Sequence, residues 1–64
     1  MSNWKFESMN GFDKVERGAV LRHKEDMTRF FVVQNYGTFL VGVNDRGFIR
    51  AVHNSQEWWV LKEF

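Results

Sequence analysis

The sequence predicts an all-β domain: a small closed barrel of five short strands, with one 3₁₀ or helical turn before the last. Three observations carry this expectation. Short runs rich in aromatic and β-branched residues recur between turn signals roughly every 8 to 10 residues, the spacing of a sandwich or barrel. No stretch of about 11 residues keeps a clean apolar period of 3.6, which argues against a helical bundle. The polar run Asn54-Ser55-Gln56-Glu57 stands directly before the final apolar segment and offers capping residues for a single turn.

The elements follow in order. Residues 1 to 13 (MSNWKFESMNGFD) read as an N-terminal extension packing on the barrel, within one domain spanning residues 1–64. Alternating Trp4 and Phe6 suit a short edge strand, while Trp4, Glu7 and Ser8 equally suit one helical turn; both readings stay open. Gly18 precedes a first strand over Ala19 to Lys24, and Glu25-Asp26-Met27 turns the chain. Thr28 to Asn35 (TRFFVVQN) has the composition of a pleated, half-buried strand. After Tyr36-Gly37 the chain returns over Thr38 to Val43. Asn44-Asp45-Arg46-Gly47 is a hairpin loop in which Gly47 is free to take positive φ. Phe48 to His53 forms the fourth strand and Trp58 to Phe64 the fifth.

Composition narrows the function classes. The chain has 64 residues, 9 Lys+Arg against 8 Asp+Glu, no Cys and no Pro. A chain of this length is one domain that buries only about 60% of its unfolded surface. An apolar fraction of 44% and an aromatic fraction of 17% are those of a folded domain rather than a disordered tail. Without cysteine there is neither a disulfide framework nor a thiolate metal site, and a cytoplasmic location is expected. No apolar run approaches the ~18 residues of a membrane span, and Met1 is not followed by a basic stretch and an apolar core, so neither a membrane span nor a signal peptide is expected. A formal charge of +1 is far from the basicity usual in nucleic-acid-binding domains.

No residue set suggests catalysis, so the expectation is a protein that is not an enzyme and holds no cofactor. Ser55 near His53 is the closest local approach to a nucleophile and base, and Ser55 reads better as the cap of the turn before Trp58. His23 and His53, with Asp26 or Asp45, match no metal-ligand spacing. A closed barrel this small leaves little room for a pocket of about 300 Å³.

Two binding surfaces remain. Phe30-Phe31 and Trp58-Trp59 place bulky rings on both faces of their strands. Rings left outside are candidates for a protein interface, where aromatics and Arg are enriched. The expected partner-binding set is Trp59, Tyr36 and Phe39 ringed by Arg22, Arg29 and Arg50, with Phe64 a further exposed ring. The alternative is a nucleic-acid face of Arg22, Lys24, Arg46, Phe48 and Arg50, since residues 14 to 53 carry seven cations against four carboxylates. Self-association through an edge strand, Thr38 to Val43 or Trp58 to Phe64, is a third reading.

KVERGAVLRHK, RFFVVQNYGTFLVGVNDRG and HNSQEWWVLKE, with Gly18, Val33, Gly37 and Trp58 among them, resemble the SH3-like small barrels of the KOW and Tudor kind over about residues 14 to 62. That resemblance implies a five-stranded SH3-like barrel and a binding rather than catalytic role. In length and lack of cysteine the chain also resembles accessory proteins of bacteriophages and prophages. This second resemblance implies a partner among bacterial protein complexes, which the module would bind and modulate or inhibit.

Overall fold

The computed structural model describes residues 3–63. Six strands form: β1 (Trp4–Ser8), β2 (Val20–His23), β3 (Arg29–Asn35), β4 (Leu40–Asn44), β5 (Ile49–Val52) and β6 (Trp58–Glu63), with a 3₁₀ turn at Ser55–Glu57. They make one antiparallel sheet in the order β1-β6-β2-β3-β4-β5. The described pairings make an open sheet with β1 and β5 as its edges, of six strands where five were expected.

The sixth strand comes from the segment whose conformation the sequence left open. Trp4 to Ser8 is a strand because β6 gives it a full ladder, from Trp4↔Glu63 to Ser8↔Trp59. The pairing also corrects the edges expected for self-association. Thr38 to Val43 lies largely in β4, between β3 and β5, and Trp58 to Glu63 is β6, between β1 and β2. Phe64 lies outside the described residues.

From β2 onward, each connection is opened by a carboxylate or amide side chain that accepts the backbone N–H two residues on. Asp26 Oδ1 takes the Thr28 amide at 2.9 Å, Asn35 Oδ1 that of Gly37 at 2.7 Å, and Asn44 Oδ1 that of Arg46 at 2.9 Å. Asn54 Oδ1 takes that of Gln56 at 3.0 Å, so Asn54 caps the 3₁₀ turn rather than Ser55. The Ser55 hydroxyl instead accepts the Gly11 amide at 2.9 Å, tying the N-terminal segment to the turn. Such Asx turns mimic a backbone turn. Gly47 takes the positive φ its loop requires, +85°.

The core lies on one face of the sheet, from Leu21, Phe30, Val32, Leu40, Val52 and Val60. Met9, Phe12 and Val15 from the stretch between β1 and β2 complete it, with Trp58 packed partly buried against it. This stretch is held by Asn35, whose Nδ2 donates to Phe12 O at 2.7 Å and Val15 O at 2.9 Å. Gly42 belongs to the same face. A Cβ there would overlap the Phe31 carbonyl and come within 2.6 Å of the Phe30 ring, so Phe30 lies flat across β4 only because the position is bare.

Candidate site: an uncovered sheet face and a cleft beside it

Period-two alternation settles the adjacent rings. Phe30 is in the core and Phe31 on the opposite face, 48% exposed. Trp58 packs toward the core, its ring 5.5 Å from that of Phe30, while Trp59 is half-buried on the other face opposite Arg22 and Ser8.

That other face carries an apolar row running across the strands. Phe6 pairs with Leu61 on one side of the sheet. Val20 pairs with Phe31, Phe31 with Val43 and Val43 with Ile49 on the other. Val20 and Leu61 meet between these pairs and line a shallow groove with Trp4, Gly18 and Ala19. The row ends at Ile49, which is 71% exposed. A break in register between Val32 and Gln34 leaves Val33 exposed as well. Arg22 is a cation set within this face: its guanidinium carbon stands 4.8 Å from the centre of the Phe6 ring. Its Nε is buried with no hydrogen-bond partner among the described residues.

The expected partner-binding residues fall into separate places. Trp59, Arg22 and Arg29 are neighbours through the Trp59↔Arg22 and Arg22↔Arg29 pairs. Tyr36 and Phe39 stack on each other at 4.9 Å, with Phe39 also against His53 at 5.5 Å. They sit at the β3–β4 turn, at the far end of β3 from Arg29, roughly 20 Å away at 3.3 Å per residue. Arg50 is on the edge strand β5, separated from β2 by β3 and β4.

The nucleic-acid set divides in the same way. Arg46, Phe48 and Arg50 gather at the β4–β5 hairpin, the Arg50 guanidinium lying 5.2 Å from the Phe48 ring centre. Arg22 faces the uncovered side three strands away, and Lys24 follows β2, its amide bonded to Glu57 O. The expectation that Arg50 joins Arg22 and Lys24 is therefore not met, because two strands intervene.

A feature the sequence reading missed is an open cleft of ≈ 340 Å³ between the β2–β3 turn and β5. Phe30, Trp58 and His23 supply its aromatic wall, Arg46 and Arg50 its cations, and Asp26, Thr28 and Asn44 the remaining polar groups. His23 stands edge-on to Trp58 at 4.7 Å. Its Nδ1 faces the Glu25 amide at 3.2 Å and its Nε2 lies 3.6 Å from Glu57 Oε2. Hydrogen bonds from the Thr28 hydroxyl, then from its amide, hold the Asp26 carboxyl below its ordinary 3.8, against desolvation and with a smaller contribution from His23 in the same direction. Among the described residues no group of three or more His, Asp or Glu stands close enough to hold a metal ion. Only the i,i+2 arrangement of Asp26 with Thr28 was visible in the sequence as a sign of this cleft, because its walls come from five separate strands.

Comparison with protein-family models, with curated proteins and with solved structures finds no match to this chain.

Proposed function

We propose that this chain is a non-catalytic binding module that seats another protein on the uncovered face of its sheet. The observation that carries the reading is the apolar row from Phe6 and Leu61 through Val20, Phe31 and Val43 to Ile49, with Trp59 and Arg22 beside it. A sheet face exposed to water ordinarily alternates polar residues with the core-facing ones. Contiguous exposed apolar surface rimmed by polar groups marks an interaction site. The order β2 to β5, then a 3₁₀ turn, then β6 returning beside β2, supports an SH3-like small-barrel assignment. The phage-type resemblance makes a bacterial protein complex the partner to seek.

The test is affinity capture from bacterial lysate treated with nuclease, at low and high salt, using the wild type and a Phe31→Ser/Ile49→Ser variant. A discrete protein held by the wild type at high salt and lost by the variant is the expected outcome. Nucleic acid recovered in its place, and released as salt rises, moves the function to Arg46, Phe48 and Arg50, since phosphate neutralisation gives a steep salt dependence. That second reading is favoured by one observation, the Arg50–Phe48 stack at the hairpin.

A further inference from the structure

We infer that the β5 edge accepts an extended acidic peptide as a seventh strand, its carboxylates reaching Arg50 and Arg46 over the aromatic cleft. The inference rests on the reading that the partner is a protein and specifies a second contact with it. The backbone argument comes first. Asn44 N–H bonds Phe48 O at 2.9 Å across the β4–β5 hairpin. Hydrogen-bonded and non-bonded pairs alternate along an antiparallel ladder. Counting from Asn44 and Phe48, Gly42↔Arg50 and Leu40↔Val52 are the bonded pairs, while Val43↔Ile49 and Val41↔Ala51 are not. The N–H and C=O groups of Ile49 and Ala51 therefore point away from β4, and among the described residues no strand lies beyond β5. A further contact is consistent with this: Arg50 Nη1 donates to Ile49 O at 3.0 Å.

The side chains define what such a strand carries. Ile49 and Ala51 lie on the uncovered face, where Ile49 ends the apolar row. Arg50 lies on the opposite face and lines the cleft with Arg46 and Trp58. Neither arginine has a carboxylate within salt-bridge distance among the described residues, and the cleft's own Asp26 is engaged by the Thr28 amide. A peptide alternating apolar and acidic residues continues the row with one set and meets the arginines with the other. Backbone bonds supply affinity and alternate side chains specificity, as in other strand-addition complexes. Arg50 also guards the edge in the free protein by occupying Ile49 O. A carboxylate drawing the guanidinium away opens that acceptor, so neutral peptides bind less well.

The test titrates ¹⁵N-labelled protein with a capped hexapeptide alternating Val and Glu, and with its Val/Lys and Val/Gln counterparts. Expected are binding of the Glu peptide alone or most tightly, slower amide exchange at Ile49 and Ala51, and affinity reduced at least about tenfold in Arg46→Glu/Arg50→Glu. The peptide pairs with β5 alone, so its binding is read separately from capture of a whole protein on the open face, and failure of one leaves the other standing. Equal binding of all three peptides, or a bound state in which exchange at Ile49 and Ala51 is unchanged, overturns the inference. Absence of binding to the wild-type protein at millimolar peptide does the same. Exchange is read on the wild type, so it stands even if the double variant unfolds.

Discussion

Asn35 holds three backbone groups with one amide: it donates to Phe12 O and Val15 O and accepts from Gly37 N–H. Replacing it by Ala takes the side-chain donor from the Val15 carbonyl and leaves Phe12 O with only the Val15 amide, and a loss of about 2 kcal/mol is expected in denaturant unfolding. Asn35→Asp is worse at neutral pH, because a carboxylate then faces two carbonyl oxygens. Gly42→Ala is expected to destabilise by about 3 kcal/mol, since the added methyl overlaps rigid backbone at Phe31 and the face of Phe30. Gly47→Val costs about 1–2 kcal/mol for a different reason: space is open there, but φ is positive. The sequence revealed the need at Gly47, which is local turn chemistry. It was silent on Gly42 and Asn35, whose partners arrive from other parts of the chain.

At the scale of elements, the strands from Ala19 to His53 were readable to within one or two residues because alternation and Asx turns are local signals. The N-terminal segment was not. Trp4 to Ser8 has too few residues for its period to decide, and its partner β6 lies almost a chain length away. The β2–β3 turn gives an element-scale prediction. Asp26 titrates below its ordinary 3.8, so its carboxylate favours the folded turn above that pH, and this contribution is lost as pH falls through the lowered value. Thermal melts of the wild type and Asp26→Asn should accordingly differ near neutral pH and converge once the pH falls through the lowered value and the carboxyl is protonated. A difference that persists unchanged in acid contradicts the role given to the carboxylate.

For the molecule as a whole, one face of the sheet is filled by core and the other carries a half-buried to exposed apolar row on which no further element packs among the described residues. Of the rings expected outside, Tyr36 is exposed and Phe39 and Trp59 are half-buried, while the other exposed rings, Trp4, Phe31 and Phe48, are spread between the open face and the β5 hairpin. Which strands are neighbours decides this, and strand order is not encoded in any local run. Phe31→Ser/Ile49→Ser is expected to change unfolding free energy by less than about 1 kcal/mol while lowering binding of an apolar dye. A large loss of stability instead would place Phe31 in the packing of the fold.

The clamped turns between β2 and β5 also bear on the order in which the molecule assembles. Each of those hairpins closes a short loop with its own side-chain acceptor, whereas the β1–β6 ladder joins segments nearly a full chain apart and must wait for β6 to dock on β2. Short loops cost little closure entropy and long ones more, so the meander forms the nucleus and the outer ladder zips afterwards. In stopped-flow kinetics, Gly47→Val then slows folding, while Phe6→Ala chiefly hastens unfolding. The edge strand that completes the sheet is the last part to arrive and the first to leave.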